Sequence, residues 1–536
     1  MNFDPLEYPY PSRRSVTYAR KGMVATSQPL AAQAGLEILK KGGNAIDAAI
    51  ATAASLTVLE PTSNGIGGDG FAIVWKEGEL HGLNSSGPSP KDIDIGTVKE
   101  KGHEEMPKFG WIPVTVPGIP GAWSSLSQKF GKLPFEEVLK PAVKYAEEGY
   151  PVSPILGKYW KSAYRTYKKE LEGKEKFQSW FDTFAPACRT PKIGEMWKSE
   201  DHAETLREIG ETEAESFYRG ELAEKMVEFS KDTGGYLHQK DLADFSPEWI
   251  DPLNTEYRGH RVWELPPNGQ GLIALQALNI LKGFDFDHKE TIETYHKQIE
   301  ALKLAFSDGK EVITDPDRMK VDPEDLLSED YADERRREIG EEALKPEPGR
   351  SAEGGTVYLS TADKEGNMVS YIQSNYMGFG SGLVVPGTGI ALQNRGNTFS
   401  LDPTHANCLE PKKRTYHTII PGFLTKDGEA VGPFGVMGGY MQPQGHLQVV
   451  MNALDFDLNP QASLDAPRWR WDEGKKVYLE NKFPHHIAEG LSRKGHEIRY
   501  SLHSGSYGRG QMIWKLDDGV YAGGTEPRTD GHIASW

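Results

Sequence analysis

Cysteine is nearly absent from this chain: its 536 residues include only Cys188 and Cys408, which lie far apart in the sequence. Two such cysteines cannot build a disulfide framework, and they form no cysteine and histidine spacing that is typical of a metal site. We therefore expect a fold without stabilising disulfides, and a protein that uses no metal and no other cofactor.

Basic residues are also too few for an anionic partner. Lysine and arginine number 61 against 78 aspartate and glutamate residues, which gives a net charge of −17. The longest basic runs, at 335–337 and 412–414, are short. Because the binding of phosphate groups depends on patches of lysine and arginine, we expect neither nucleic acid nor an anionic membrane as a partner.

Long apolar runs are missing as well. No run approaches the roughly 18 residues of a transmembrane helix. Residues 1–8 contain acids and a proline where a secretory signal needs basic residues and an apolar stretch. We therefore predict a soluble, cytoplasmic protein. The length of the chain is sufficient for two or more hydrophobic cores, or for one large layered domain.

The N-terminal part of the chain shows helical and strand-like patterns in turn. A short strand is predicted at 22–26, followed by helices at 30–39 and 45–59. The second helix is rich in alanine and almost uncharged, so we expect it to be buried against a sheet. The glycine-rich loop at 63–70 then leads into a strand at 71–75. A dinucleotide-binding loop follows a strand and opens a helix, so we interpret this one as a site of close backbone packing.

Further along, the predicted elements become less regular and then rich in strands. We predict a strand leading into a helix at 113–123, a short helix at 135–139, and a second helix that opens at Pro141. Residues 316–348 are acidic and irregular, which suggests an exposed arm. Strands are predicted near 356–363, 368–374, 417–424 and 431–437. A helix-rich part followed by a sheet-rich part is typical of helices on the outer faces of stacked sheets.

The segment around Thr356 carries the first chemical signal. Gly354 and Gly355 free the backbone just before a threonine that heads a predicted strand, and residues 363–367 form the predicted turn to the returning strand. If the Gly355–Thr356 bond were cut, Thr356 would carry both a hydroxyl and an α-amine with a pKa of about 7.7–8.0. That amine can act as general base for the hydroxyl. The alternative is that these residues merely open a hairpin.

A second signal is the pair Gly438 and Gly439, where a predicted strand ends immediately before a helix begins. Backbone N–H groups at such a corner can approach a ligand oxygen closely, as an oxyanion hole requires. The alternative is a tight turn that only glycine can form.

Taken with many other stretches, these segments resemble the γ-glutamyltransferases, or glutathione hydrolase proenzymes, over nearly the whole chain. The matching stretches are 43–49, 63–71, 116–118, 133–135, 145–149, 266–281, 355–356, 379–382, 438–439 and 465–468. The resemblance implies an N-terminal-nucleophile hydrolase of α+β class, folded as a four-layer αββα sandwich. It implies one inactive chain that cuts itself into a large, helix-rich subunit region, 1–355, and a small, sheet-rich one, 356–536. The two regions would form one interleaved domain.

The resemblance also implies roles for individual residues. Thr356 matches the nucleophile, and Ser374 takes the position of a supporting hydroxyl that is usually a threonine. Gly438 and Gly439 match the paired oxyanion glycines. The implied reaction transfers the acyl group of a γ-glutamyl amide, such as glutathione, to water or to an amine acceptor.

The part that holds the substrate departs from the family pattern. Ser86 lies in the motif where the family has an arginine for the glutamate carboxylate, and Thr398 stands where an acid holds the glutamate amine. A charge-assisted hydrogen bond contributes roughly 1.5–3 kcal/mol, so the loss of two would weaken binding by about two to four powers of ten. Arg395 is a candidate for the replacement cation.

Other positions that match the family's substrate site are also altered. His417 and Thr418 match a pair of serines, and Tyr376 replaces an asparagine. The candidate substrate-binding residues are therefore Arg395, Thr398, His417 and Thr418.

Two functional hypotheses remain open at this point. The first is an amidohydrolase acting on a γ-glutamyl compound or on another acyl amide, such as the side-chain amide of an acylated β-lactam. The second is an unprocessed, non-catalytic member of the same fold that binds a small metabolite or a partner subunit. His296 and His446 are interpreted as core or surface residues without a role.

Overall fold

The computed structural model describes residues 14–346 and 355–536. The strands of these residues, in chain order, are β1 (Thr17–Ala19), β2 (Gly22–Thr26), β3 (Asp69–Lys76), β4 (Glu79–Ser85), β5 (Tyr150–Pro151), β6 (Met196–Trp197), β7 (Glu248–Ile250), β8 (Leu253–Tyr257), β9 (His260–Glu264), β10 (Gly355–Asp363), β11 (Met368–Tyr376), β12 (Gly422–Lys426), β13 (Glu429–Met437), β14 (Trp469–Glu473), β15 (Lys476–Glu480), β16 (Glu497–Ser501), β17 (Arg509–Lys515), β18 (Tyr521–Thr525) and β19 (His532–Ser535).

The α-helices of the same residues are α1 (Pro29–Lys40), α2 (Ala45–Leu59), α3 (Ile95–Glu100), α4 (Ile119–Phe130), α5 (Phe135–Glu148), α6 (Pro154–Leu171), α7 (Gln178–Phe184), α8 (Glu200–Glu211), α9 (Glu215–Arg219), α10 (Glu221–Asp232), α11 (Gln239–Ala243), α12 (Gly271–Leu281), α13 (Ile292–Val312), α14 (Pro323–Leu326), α15 (Glu329–Glu338), α16 (Met441–Leu454), α17 (Pro460–Asp465) and α18 (His485–Arg493). In the described part of the chain, no helix has the length and apolar character needed to cross a lipid bilayer.

Two seven-stranded sheets form the centre of the molecule. The first has the strand order β19-β2-β10-β11-β3-β4-β7, and the second has the order β1-β18-β17-β13-β12-β9-β8. Neighbouring strands in both sheets run antiparallel. The hairpin of β10 and β11 occupies the middle of the first sheet, so the strand that begins at Gly355 has a hydrogen-bonded neighbour on each side.

Three apolar cores separate four layers. One core lies between the first sheet and α1, α2 and their neighbours, and another lies between the second sheet and α12, α13 and α16. The third fills the space between the sheets, with Phe71 and Ile372 from one and Phe423 and Ile513 from the other. The protein is therefore the αββα sandwich that the sequence predicts.

Strand β10 shows how the pattern of the sequence produces this layering. Successive side chains of a strand point to opposite faces. Val357 and Leu359 accordingly pack on the helical side, whereas Tyr358 and Ala362 pack between the two sheets. The strand is covered on both faces, which is why its side chains are buried along almost its whole length.

Helix α2 holds this strand from the outer side. All of its residues are buried, which confirms the expectation of an alanine-rich helix lying flat on a sheet. Asn44 caps it by accepting hydrogen bonds from the backbone N–H groups of Ile46 and Asp47. Asp363, at the end of β10, accepts a 2.7 Å hydrogen bond from Ala45 N, so a carboxylate lies at the positive end of the helix.

Several predicted boundaries were wrong. Residues 113–118 form no strand, and 417–421 precede β12 without regular pairing. Pro141 lies inside one continuous helix, α5, because its ring is buried and packing compensates for the lost N–H hydrogen bond. The arm at 316–348 contains the helix α15, which is fixed to the body by hydrogen bonds of Arg335 to Asp308.

Candidate active site

The β10–β11 hairpin brings Thr356 and Ser374 together. Tyr358 pairs with Ile372 and Val357 with Gln373 in regular register, but the register shifts between Gly355 and Val357. Two residues of β11, Ser374 and Asn375, therefore lie opposite the single residue Thr356, and such a bulge re-aims nearby side chains. Thr356 itself is 1% exposed.

The hydroxyl of Ser374 connects Thr356 to the peptide bond that precedes it. Thr356 Oγ1 donates to Ser374 Oγ at 3.2 Å, and Ser374 Oγ donates to the carbonyl oxygen of Gly355 at 2.6 Å. The backbone N–H of Tyr376 donates to the same serine oxygen at 2.8 Å and fixes it in place. Ser374 therefore contacts both partners of a reaction between the Thr356 hydroxyl and the Gly355 carbonyl.

Gly355 is required here by a close approach of the backbone. A Cβ atom at this position would lie 2.9 Å from Gly378 N and 3.2 Å from the Cα of Ser63. Any side chain would force the segment before Thr356 away from its neighbours. Gly354 lies outside the described residues.

Gly438 and Gly439 form a corner between β13 and α16. Their φ angles are +140° and +61°, which L-residues with side chains rarely adopt. The carbonyl oxygen of Gly438 accepts from Met441 N, and that of Gly439 accepts from the side chain of Gln270 at 2.9 Å. The peptide groups of the corner are thereby fixed at the positive end of a helix, as an oxyanion hole requires.

Two tyrosines connect the end of β11, which carries Ser374, to the corner formed by Gly438 and Gly439. Tyr376 ends β11 just after Ser374, and Tyr440 follows Gly439 directly. The two side chains share a hydrogen bond, and burial raises the pKa of both phenols. The two stretches that carry the chemical signals in the sequence are therefore at the same end of the stacked sheets.

A cleft of about 970 Å³ opens at this end. Its inner wall includes Tyr376, Thr398, Tyr416 and Tyr440 together with Lys310. Exposed charged residues form part of the rim; these are Lys99, Glu104, Glu105, Lys108 and Asp402. The volume suits a small-molecule substrate rather than a protein surface.

The four candidate substrate-binding residues occupy different environments. Thr398 lines the cleft, but its hydroxyl bonds to protein groups, namely Thr415 Oγ1 and the carbonyl oxygen of Arg395, each at 2.8 Å. The hydroxyl of Thr418 accepts a 2.7 Å hydrogen bond from Arg395 Nη1. The hydroxyls of Thr398 and Thr418 therefore both stabilise the segment around Arg395.

Arg395 is fully buried behind the cleft wall. Its guanidinium carbon lies 4.4 Å from the centre of the Tyr376 ring, which stands between it and the cleft. Its Nε and Nη2 make no hydrogen bond within the described residues. Burial lowers the pKa of Arg395 to about 10, with the nearby Asp69 acting in the opposite direction.

Asp69 and His417 complete this buried group. His417 Nε2 lies 3.1 Å from Asp69 Oδ2, and His417 Nδ1 accepts from the backbone N–H of Ile419, so the proton is on Nε2 and donates to the carboxylate. Gln393 also donates to Asp69. Burial raises the pKa of Asp69 to about 7 although Arg395 lowers it, and burial lowers the pKa of His417 well below its usual value. His417 is thus a neutral ring inside the protein.

Ser86 is also turned inward. Its hydroxyl donates to Asn84 Oδ1 at 2.7 Å and accepts from Asn268 Nδ2 at 3.2 Å. No cation stands at this position of the motif. The side chain is occupied by a network of neutral amides.

Several residues that shape the site carry little or no signal in the sequence. Asp69 lies at the end of the glycine-rich loop. The sequence signal that could have identified it is its position as the single acidic residue before an apolar strand. The close packing predicted for that loop is confirmed, since a Cβ on Gly68 would lie 2.4 Å from the carbonyl oxygen of Ser374. Gln270 and Tyr440 carry no sequence signal of their own, because their roles depend on contacts between distant segments.

A separate buried cluster contains residue types that bind metals. The ligand atoms of His296, Glu300 and His496 lie within 4.8 Å of one another. Lys303 Nζ donates a hydrogen bond to Glu300 at 2.7 Å. The pKa of His496 is lowered to about 2, mainly by burial and secondly by the positive charge of Lys303. His296 bridges from His496 to the carbonyl oxygen of Gly340, each at 2.9 Å. Because an ammonium group already pairs with the carboxylate, we assign this cluster to anchoring the arm around Gly340.

Comparison with known proteins gives consistent matches over the whole chain. The model of the family described as gamma-glutamyltranspeptidase matches residues 31–536. A crystal structure of cephalosporin acylase from Bacillus halodurans superimposes with a TM-score of 0.96 at 64% identity, covering 100% of this chain and 99% of the other.

Curated relatives carry different descriptions. A glutathione hydrolase-like proenzyme, YwrD, of Bacillus subtilis is 36% identical over 95% of this chain and 98% of its own length. An oxamate amidohydrolase proenzyme of Klebsiella pneumoniae is 32% identical over 96% of this chain and 98% of its own length. The descriptions of the three similar proteins thus name three different substrates.

Proposed function

Because the chain belongs to the gamma-glutamyltranspeptidase family, we propose that it is a self-processing amidohydrolase with Thr356 as its nucleophile. The observation that carries this proposal is the pair of hydrogen bonds made by Ser374, one to the Thr356 hydroxyl and one to the carbonyl oxygen of Gly355. The large region, 1–355, and the small region, 356–536, would be the two products of the cut. Relatives named as proenzymes support this division.

In the proposed self-cleavage, Thr356 Oγ1 attacks the carbonyl carbon of Gly355. The C–N bond breaks as an ester forms, and the hydroxyl proton passes to the departing nitrogen, which becomes the α-amine of Thr356. Water then hydrolyses the ester and leaves a carboxylate on Gly355. The hydrogen bond from Ser374 stabilises the negative charge that develops on the Gly355 oxygen during the attack.

The same hydroxyl then acts on a substrate amide. The freed α-amine takes the proton of Thr356 Oγ1 as this oxygen attacks the substrate carbonyl, and the N–H groups of the Gly438–Gly439 corner stabilise the oxyanion. The amine product leaves with the proton, and an acyl ester remains on Thr356. Water or an amine acceptor releases the acyl group and restores the hydroxyl. No cofactor is needed for these steps, and the cytoplasmic location stays a prediction from the sequence.

The proposed substrates are acyl amides, of which γ-glutamyl compounds such as glutathione are one class. Ser86 and Thr398 bear no charge and bond to protein groups. Neither can pair with the α-carboxylate or the α-amine of a glutamyl group, so the acyl specificity should be broader than for glutamate alone. The similarity to a cephalosporin acylase and to an oxamate amidohydrolase agrees with this breadth.

Incubation of the purified precursor tests the proposal. We expect mass spectrometry and N-terminal sequencing to find a second fragment that begins at Thr356, together with turnover of an acyl anilide. A single chain that stays intact on long incubation, and that hydrolyses no acyl anilide, would support the non-catalytic alternative instead.

Ser374→Ala should slow self-cleavage. The substitution removes the hydroxyl that polarises the Gly355 carbonyl, and loss of one oxyanion-stabilising donor typically costs about 10²–10³ in rate. Time courses of fragment formation on a gel measure this effect. Ser374→Thr restores a hydroxyl and is the matched control, which should process close to the wild-type rate. Equal rates for Ser374→Ala and wild type would remove Ser374 from the mechanism.

Donor specificity should depend little on the α-amine. We expect kcat/KM for γ-glutamyl-p-nitroanilide and for glutaryl-p-nitroanilide, which differ only by that amine, to agree within about tenfold, because the site has no acid at Thr398. A preference of about a hundredfold for the glutamyl donor, or roughly 2.7 kcal/mol, would contradict this. It would mean that another residue binds the amine.

A further inference from the structure

Lys310 lies in an unusual position on the wall of the cleft. It belongs to the last turn of α13 and is half-buried. Its Nζ lies 4.9 Å from the ring centre of Tyr440, 5.3 Å from that of Phe306 and 5.7 Å from that of Trp471. Three aromatic rings therefore surround an ammonium group at the edge of a cavity.

The aromatic rings replace only part of the water that this charge has lost. Burial lowers the pKa of Lys310 to about 8, with Asp472 acting in the opposite direction, so the group remains mostly protonated at neutral pH. Within the described residues, no carboxylate lies within ion-pair distance of Nζ; Asp472, which is near Arg470, attracts it from farther away. A desolvated ammonium with no carboxylate in direct contact is well suited to bind an anion that enters the cleft.

Other cations near the cleft are less suited to this task. Lys99 and Lys108 are exposed at the rim, where water and salt weaken their attraction for an anion. Arg395 is fully buried, and the ring of Tyr376 stands between its guanidinium and the cleft. Lys310 is therefore the partly buried cation that a ligand in this cleft can reach.

The position of Lys310 also relates it to the reacting centre. Its ammonium faces the ring of Tyr440, which follows Gly439 directly in the chain. The cleft wall contains Tyr376 and Tyr440, which lie just beyond Ser374 and Gly439 in the chain, so a substrate bound at the glycine corner would extend toward the cleft that Lys310 lines. A second polar group on that substrate can pass the Tyr440 ring and meet the ammonium.

We propose that Lys310 determines specificity by binding a carboxylate of the amide substrate. This rests on the proposed function, because it assigns a ligand group to the cleft beside the same reacting centre. The carboxylate belongs either to the acyl group or to the amine that leaves, and both sources place the same anion in the cleft. Lys310 does not take part in bond breaking.

Three anilides that differ in the position of the charge test this proposal. Butyryl-p-nitroanilide is uncharged, glutaryl-p-nitroanilide carries a carboxylate on the acyl group, and butyryl-3-carboxy-4-nitroanilide carries one on the leaving amine. For Lys310→Met we expect kcat/KM to fall at least tenfold more for one of the two anionic donors than for the uncharged donor. The fall should appear mainly in KM, because the lost contact binds the substrate and the transition state alike.

Two companion variants separate charge from packing. Lys310→Arg keeps a cation and should restore most of the preference for the affected donor, whereas Lys99→Met removes an exposed rim cation and should leave the ratio of donors unchanged. The anionic donor that loses most identifies which side of the amide carries the carboxylate.

The outcomes distinguish failure of this inference from failure of the proposed function. If wild-type protein hydrolyses the uncharged donor and Lys310→Met changes all three donors equally, Lys310 binds no carboxylate and the inference is wrong. If the wild-type protein hydrolyses none of the three donors, the proposed function itself is wrong.

Discussion

Replacement of Thr356 by alanine is expected to abolish both self-cleavage and amide hydrolysis. In the proposed mechanism the hydroxyl is the nucleophile for the cut at Gly355–Thr356, and the same oxygen attacks the substrate afterwards. We expect alanine to leave the fold intact. The Thr356 hydroxyl donates to Ser374, and without it Ser374 keeps its hydrogen bonds to the Gly355 carbonyl oxygen and the Tyr376 N–H group. Gel mobility after prolonged incubation and the turnover of an acyl anilide measure the two losses.

Two control variants accompany this experiment. Thr356→Ser keeps a hydroxyl at this position and should still form two fragments. Val357→Thr places a hydroxyl one residue later, in the regular register opposite Gln373, and should change processing little. A Thr356→Ala protein that still splits would show that the nucleophile lies elsewhere, and a chain that matures only after Val357→Thr would show that the predicted register is wrong by one residue.

Asp69→Asn is expected to remove a large pH dependence from the stability of the protein. Burial raises the pKa of Asp69 from 3.8 to about 7 in the folded state, so the folded protein binds this proton more tightly than the unfolded chain. As the pH rises from 3.8 to about 7, the free energy of unfolding that this group contributes therefore decreases. A shift of about three pKa units corresponds to roughly 4 kcal/mol.

Urea unfolding at two pH values measures this effect. The uncut Thr356→Ala protein serves as the background, so that every sample is one chain. Relative to Asp69→Asn, the parent should lose about 3 kcal/mol of unfolding free energy between about pH 4.5 and about pH 7.5. Glu100→Gln removes an exposed carboxylate at the end of α3 and should leave the parent's pH dependence unchanged.

Arg395→Met provides an independent check on the same group. Arg395 lowers the pKa of Asp69, so its removal should raise that pKa further. The pH range over which stability decreases should then extend to higher pH. If the unfolding free energies of Asp69→Asn and its parent differ by the same amount at all pH values, the Asp69 carboxyl group does not titrate in this range.

The family resemblance implied that Ser374 supports Thr356, and the predicted hairpin agrees with this pairing because it depends on local geometry. The turn at 363–367 fixes which residues of the two strands face each other, and Thr361 lies opposite Val369. Continuing this register places Thr356 next to Ser374. The bulge beside Gly355 could not be derived, because it depends on the contact with Gly378 and Ser63.

The surroundings of Arg395 show where sequence reasoning ends. It was proposed as the replacement cation for the substrate, and the sequence gives no sign that Tyr376 covers it or that Asp69 lies near. These contacts join segments that are far apart in the chain. The same applies to Lys310, because two of its three aromatic neighbours, Tyr440 and Trp471, come from distant segments, whereas Phe306 lies on its own helix.

The central position of β10 has a consequence for how the protein can refold. β10 and β11 lie between β2 and β3, so a cut before Thr356 leaves the strands of two separate chains alternating in one hydrogen-bonded sheet. The uncut protein refolds as a single molecule, at a rate that does not depend on dilution. The cut protein must first bring two chains together, so its refolding becomes bimolecular and slows as it is diluted. Cleavage would thus make the persistence of the folded protein depend on slow unfolding rather than on easy refolding.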